Sequence, residues 1–145
     1  MRVVIQQVEE AKVLINKKLY SSINNGMLIF LGIHKKDTIE HIYTLVTKIM
    51  KLRIFKDDRN KSNLSISDLN FSILLVSQFT LYANTKKGNR PSYADAAPPQ
   101  KARDLYDLFI KELKQYNINL QTGKFGANMD IHLTNKGPNT YILES

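Results

Sequence analysis

Two stretches of the chain are almost wholly apolar, and they set the frame for the rest. Residues 26–33 (GMLIFLGI) and 71–79 (FSILLVSQF) are too short for typical helices and apolar on both faces, which predicts strands covered on both sides. The first belongs at the centre of a sheet. The second loses its apolar character at Ser77-Gln78, and polar residues at the end of such a strand commonly face a cleft or a loop. Residues 2–8 (RVVIQQV) and 12–15 (KVLI) are short and β-branched, with Asn16-Lys17-Lys18 reading as a turn after them, so a strand meander opens the chain. Residues 128–134 alternate, with Met129, Ile131 and Leu133 facing one way and Asp130, His132 and Thr134 the other. They lead into Asn135-Lys-Gly-Pro-Asn-Thr140 and a closing strand over 140–143.

Between these strands the period changes to that of a helix. Asp37-Thr-Ile-Glu40 has capping-box spacing, and Ile39, Ile42, Val46, Ile49 and Met50 follow on one face, predicting a helix to about Leu52. From Pro98 to about Tyr116, the positions Ala102, Leu105, Phe109, Leu113 and Tyr116 form one apolar stripe of a second helix. Residues 53–70 are polar and mixed, with a turn at 57–60; residues 82–93 lack periodicity, carry Lys86, Lys87 and Arg90, and read as a surface loop. The order of elements predicts an α+β fold: a mostly antiparallel, barrel-like sheet with two main helices, in a single domain over 1–145.

Composition narrows the chemistry. The 21 Lys and Arg residues exceed the 13 acids, for a formal charge of +8, which makes a polyanion such as nucleic acid a plausible partner without naming it. The chain has no cysteine, which excludes disulfides, thiolate catalysis and thiolate metal sites. No basic head with an apolar stretch opens it and no run reaches membrane-spanning length, so the expected location is the cytoplasm.

Conventional catalytic motifs are few. His34, His41 and His132 lack the spacing of metal ligands, and no metal or cofactor is expected. Gly123-Lys-Phe-Gly126 has two close glycines without a strand-loop-helix setting, and Ser77 and Thr80 are hydroxyls without an evident base. The Gly137-Pro138 pair, taken alone, is an ordinary hairpin turn. It can also bring bare main chain close to a bound molecule, since glycine has no Cβ and proline no N–H. Either such a chain only binds, or its substrate supplies part of the chemistry.

Ser77-Gln78-Phe79-Thr80-Leu81, together with Asn135-x-Gly137-Pro138-x-Thr140, resembles the paired motifs of the D-aminoacyl-tRNA deacylases, also called D-tyrosyl-tRNA deacylases. The likeness runs the whole length through the opening VIQ-V, Leu31-Gly32, Arg53-Ile54-Phe55, residues 87–92 (KGNRPS), residues 122–127 (TGKFGA) and Met129. It implies a homodimer with active sites at the interface, where the Ser-Gln-Phe strand of one subunit meets the Gly-Pro turn of the other. Phe79 would then offer its backbone amide to the substrate carbonyl, with Ser77 and Gln78 shaping the site and Thr80 a candidate for a catalytic role. Gly137 and Pro138 of the partner would hold the amino acid, Met129 and the segment containing Phe125, Gly126 and Ala127 would lie near the terminal adenosine, and Lys86, Lys87 and Arg90 would contact tRNA. Two positions depart from the pattern. Gln7 stands where the family usually has an arginine associated with holding the turn of the facing subunit, and Asn139 where it usually has valine.

The implied chemistry suits a chain without a triad. An ester of a ribose hydroxyl is already activated, so a positioned water and donors for the developing oxyanion carry much of the task, with help from the neighbouring ribose hydroxyl. Main chain against the substrate Cα would admit a hydrogen and exclude a side chain, so D-amino acids enter, L-amino acids do not, and glycine slips through. A pocket matched to one side chain would discriminate by only about 10- to 200-fold per methylene. The alternatives are a related deacylase acting on L-alanine mischarged on threonine tRNA, a non-catalytic tRNA-binding module, and a small-molecule hydrolase to which the basic loop is incidental.

Overall fold

The computed structural model describes residues 1–145. Arg2–Ile15 forms one long strand, β1, rather than the two short ones that the pattern suggests. The Glu9-Glu10 interruption does not leave the strand: both side chains reach solvent, Glu10 pairs with Lys12 Nζ at 2.8 Å, and the main chain runs on. Asn16 and Lys17, at φ 50° and 63°, make the tight turn into β2 (Lys18–Ile23). β3 (Gly26–Gly32) follows, and it is central as expected, antiparallel to β1 on one side and parallel to β6 (Ser72–Ser77) on the other.

Helix α1 (Ile39–Lys51) connects β3 to β6, burying Ile42, Leu45, Val46, Ile49 and Met50. Its start is one residue later than the expected capping box. Thr38 is the N-cap, its N–H donating to His41 Nδ1 at 3.1 Å, because the Asp37 carboxylate is engaged elsewhere: it accepts from the Met1 ammonium at 2.8 Å and from the His34 N–H at 2.7 Å. A small hairpin, β4 (Phe55–Lys56) and β5 (Ser62–Leu64), turns at the expected place. Helix α2 (Pro99–Leu113) leads from β6 to β7 (Asn119–Thr122), which pairs parallel to β6 and had no expectation attached to it. In α2 the burial falls on Tyr106, Phe109 and Leu113; Leu105 is only half-buried, and Tyr116 lies beyond the helix end. Tyr106 turns inward because its hydroxyl finds an acceptor, Leu75 O, at 3.0 Å.

The sheet is thus mixed within a mostly antiparallel α+β plan, the parallel pairings arising where a helix makes the crossover. Both helices cover one face, around Ile29, Ile73, Leu75, Tyr106 and Phe109, while Leu28, Leu74 and Val76 pack with Val8, Val13 and Ile23 on the other. Ser21 Oγ donates to Thr122 O at 2.9 Å, drawing β2 toward β7 so that the sheet nearly closes as a barrel.

The largest departure concerns the end of the chain. Residues 128–134 and 140–143 are not two arms of a hairpin. They belong to one strand, β8 (Asp130–Glu144), and both halves pair antiparallel with β1. Val8 faces Asn135 and Gln6 faces Thr140, so a single residue of β1, Gln7, stands opposite residues 136–139. Gly137-Pro138 is therefore the tip of a four-residue bulge on an edge strand, and its peptide bond is cis.

Candidate active site

The first half of the site grows from β6. Five buried residues in a row, from Ser72 to Val76, anchor that strand, and the burial ends at Ser77. Gln78 N–H makes one last sheet-like bond to Leu31 O at 2.8 Å before the chain turns into a 3₁₀ turn, Phe79–Tyr82. That turn packs directly on Gly32, where a Cβ would stand 2.9 Å from Leu81 Cβ and 3.2 Å from Gln78 O. Being first in the turn, Phe79 has an N–H without a main-chain acceptor, and its side chain is 57% exposed. The Gln78 side-chain amide donates to Thr80 Oγ1. This leaves the Thr80 hydroxyl proton free to be donated outward, with no base beside it to make the oxygen a nucleophile.

Two supports of this turn escaped the sequence reading. Arg2 reaches across from β1, donating through Nη1 to Leu81 O at 2.6 Å, lying 5.1 Å over the Tyr82 ring and pairing with Glu144. Tyr93 meets the Phe79 ring edge-on at a centroid distance of 4.9 Å. The Tyr82 hydroxyl is pushed up to about 12 by burial and then by the nearby Asp37 charge, so it stays protonated and is not a base at neutral pH.

The residues expected near the terminal adenosine come to the same end of β6. Gly123 N–H bonds Leu75 O at 2.8 Å, which carries residues 123–127 past the end of the strand, and Met129 Sδ lies over Gly123, 2.8 Å from where a Cβ would be. Phe125 packs on Tyr106 at 5.5 Å with the Arg103 guanidinium 4.9 Å over its ring, while Gly126, at φ 75°, faces open space. Ala127 N–H closes the segment onto Lys124 O at 3.1 Å. Lys86, Lys87 and Arg90 are exposed in a loop pinched shut by paired bonds between Asn84 and Ser92 (2.8 and 2.9 Å), and Tyr93 ties its exit to Phe79.

The Gly137-Pro138 tip is not brought to this place within the chain. It sits level with Gln7, hence with Met27 and Ile73, whereas Ser77 is level with Leu31 and Val3. The two motifs stand apart by about 13 Å along the strands and about 14 Å across three strand spacings. The tip is instead held by amide side chains. Asn135 Nδ2 lies within hydrogen-bond reach of Gln6 Oε1 (2.8 Å), Gln7 O (3.0 Å) and Asn139 O (3.2 Å), and Thr140 Oγ1 donates to Gln6 Oε1 at 2.7 Å. Gln6 and Gln7 were visible in the sequence as polar residues inside an apolar strand, the kind that must find hydrogen bonds. The histidines lie apart: His34 Nδ1 accepts from Lys36 N–H at 3.1 Å, His41 helps cap α1, and His132 is exposed on β8.

Comparison with known proteins bears on this arrangement. The model of the D-Tyr-tRNA(Tyr) deacylase family matches residues 4–144. A D-aminoacyl-tRNA deacylase of Finegoldia magna is 54% identical over 145 residues, covering 100% of this chain and 98% of that protein. That of Aquifex aeolicus is 48% identical over 145 residues, with 100% and 98% covered. Among solved structures, a c-Myc DNA unwinding element binding protein superposes with a TM-score of 0.95 at 39% identity, covering 100% of this chain and 99% of that one. A protein described as a probable eukaryotic D-amino acid tRNA deacylase shares the fold at a TM-score of 0.88 and 18% identity, over 99% and 98% of the two chains. The chain belongs to the D-Tyr-tRNA(Tyr) deacylase family.

Proposed function

We propose that this chain is a carboxylic ester hydrolase that cleaves D-aminoacyl-tRNA into free tRNA and D-amino acid, and that it discriminates by chirality with main chain rather than with a side-chain pocket. The observation that carries the reading is the pairing of an unengaged Phe79 N–H at the end of β6 with an exposed Gly137-Pro138 tip on β8. Phe79 N–H and the Thr80 hydroxyl are donors for the oxyanion that forms when water attacks the ester, and the ribose hydroxyl beside the scissile bond assists the proton transfer. Ser77 and Gln78 shape the floor of the site. Met129 and the segment bearing Phe125, Gly126 and Ala127 receive the terminal adenosine, and Lys86, Lys87 and Arg90 take tRNA phosphates.

Because the two motifs are far apart in one chain, the site is completed by a second copy whose Gly137-Pro138 tip faces Ser77 and Phe79. The open edge of β8, with Ile142 64% exposed, is a surface that such a homodimer would cover. No helix is long and apolar enough to cross a membrane, and the substrate is found where translation takes place, the cytoplasm. Released tyrosine reports the activity: D-tyrosyl-tRNA should be deacylated and L-tyrosyl-tRNA left intact, whereas equal rates would contradict the filter and no release would contradict the enzyme.

A second reading, a nucleic-acid-binding module without turnover, draws on the +8 charge and on the structural relative described as binding a DNA unwinding element. Salt-dependent tRNA binding with the ester left intact would favour it.

A further inference from the structure

Opposite residues 136–139, β1 contributes only Gln7, so the bulge lacks the paired register that fixes the rest of β8. Asn135 and Gln6 hold part of it through the bonds given above. One further contact fastens it: Asn139 Nδ2 donates to Gln7 Oε1 at 2.7 Å. Gln7 is only 9% exposed, and the flanking Val8 and Ile5 are buried. Asn139 is also pressed against the tip. A Cβ on Gly137 would stand 2.6 Å from Asn139 Cγ and 2.8 Å from both Asn139 N and Nδ2. One face of the Asn139 side chain therefore abuts Gly137 while its amide is fastened to β1. These are the two positions at which the chain departs from the pattern it resembles, and in the folded chain they are bonded to each other.

We propose that Gln7 and Asn139 are a positioning pair: their amide-amide bond latches the Gly137-Pro138 tip to β1 from within its own chain and so sets how closely the tip approaches a substrate Cα. Neither residue touches the reacting atoms. The latch rests on the filter reading given above and adds to it the part that keeps the filter in place. A filter built on main chain discriminates only while its backbone is fixed, since a tip free to move outward would make room for the side chain of an L-amino acid as well. Both partners are neutral, so the latch does not depend on the charge state of the site.

The test is a double-mutant cycle with near-isosteric apolar replacements, Gln7→Met and Asn139→Leu, in the full chain. Single-turnover deacylation of D-tyrosyl-tRNA and L-tyrosyl-tRNA is measured with tRNA affinity and thermal unfolding. Each single variant should lower the D-over-L rate ratio by about 10-fold, the scale of leaving one buried amide group unpaired, with tRNA affinity unchanged. The double variant should lose no more than either single one, because both remove the same bond. Gln7→Glu still accepts from Asn139 and should hold the ratio within about twofold, and Asn139→Asp can accept from a turned Gln7 amide and should do the same.

A ratio unchanged in Gln7→Met and Asn139→Leu, or losses that multiply in the double variant, would overturn the latch. Should either apolar variant fail to fold, the Gln7→Glu and Asn139→Asp pair decides the same question: combined, they set carboxylate against carboxylate and should lose the ratio, and its retention would overturn the proposal. The two readings fail differently. Equal D and L rates in the unaltered chain defeat the filter, whereas full discrimination in the unaltered chain and in every latch variant defeats only the latch.

Discussion

The turn after β6 and the bulge of β8 stand on unequal supports. Ser77-Gln78-Phe79-Thr80 leaves a strand paired on both edges and buried for five residues, with Gly32 and Arg2 fixing the turn that follows. Gly137-Pro138 projects from an edge strand in which no residue is fully buried, and side-chain amides are its main tethers. The contrast fits the tasks proposed for them. An oxyanion donor has to be in place before the substrate arrives, and core packing supplies that. A filter that completes a site on a second copy, as proposed, has to project from its own subunit, which a core element cannot do.

Damage to the two halves should therefore have different signatures. The largest effect is expected from Phe79→Pro. Proline fits the first position of a helical turn, and Gln78, at φ −146° and ψ 85°, is already extended as the residue before a proline should be, so the change chiefly removes the N–H. Losing an oxyanion donor should reduce the deacylation rate by roughly 10²- to 10³-fold, while Phe79→Ala, which keeps the amide, should cost much less. Rapid-quench measurement on D-tyrosyl-tRNA separates the two.

Gly137→Ala should come next and act on selectivity. The residue sits at φ 128°, and an added Cβ meets the backbone and side chain of Asn139. The D-over-L ratio should fall by about 100-fold, with the melting temperature lowered by only several degrees, because the roughly 1–3 kcal/mol of strain falls on an exposed bulge that buries no core. A loss of stability as large as that of a core substitution would erase the distinction between the two halves. The smallest effect belongs to the surface loop: Lys86, Lys87 and Arg90 changed together to alanine should weaken tRNA binding, raising KM about 10-fold at moderate salt and flattening its salt dependence, with kcat retained.

The supports also explain what was legible in the sequence. β3, β6 and α1 announce themselves because burial on both faces, or on one helical stripe, leaves long apolar patterns. The break at Ser77-Gln78 was legible for the same reason, as the point where burial stops. β7 was not, since Asn119 is exposed, its other three residues are only half-buried, and the strand is too short to show a period. Nor could the pattern show that Glu9 and Glu10 lie within one strand, because their side chains reach solvent while the main chain runs on through a register shift to the Glu10–Thr134 pair. The Gly-Pro segment misled most: both flanking runs read as strand, but only pairing tells a hairpin from a bulge, and both runs pair with β1. Its nearest tethers, Gln6 and Gln7, lie more than a hundred residues away in sequence.

Subunit complementation tests most directly whether the two halves meet across copies of the chain. Differently tagged Phe79→Pro and Gly137→Ala chains are co-expressed, the mixed dimer is isolated by both tags, and D-tyrosyl-tRNA deacylation is compared with that of each parent. The mixed dimer holds one site with an intact Phe79 amide from one chain and an intact Gly137 tip from the other. It should recover about half the activity of the unaltered dimer and its discrimination against L-tyrosyl-tRNA. A mixed dimer as unselective as the Gly137→Ala parent, or no more active than the Phe79→Pro parent, would contradict the account.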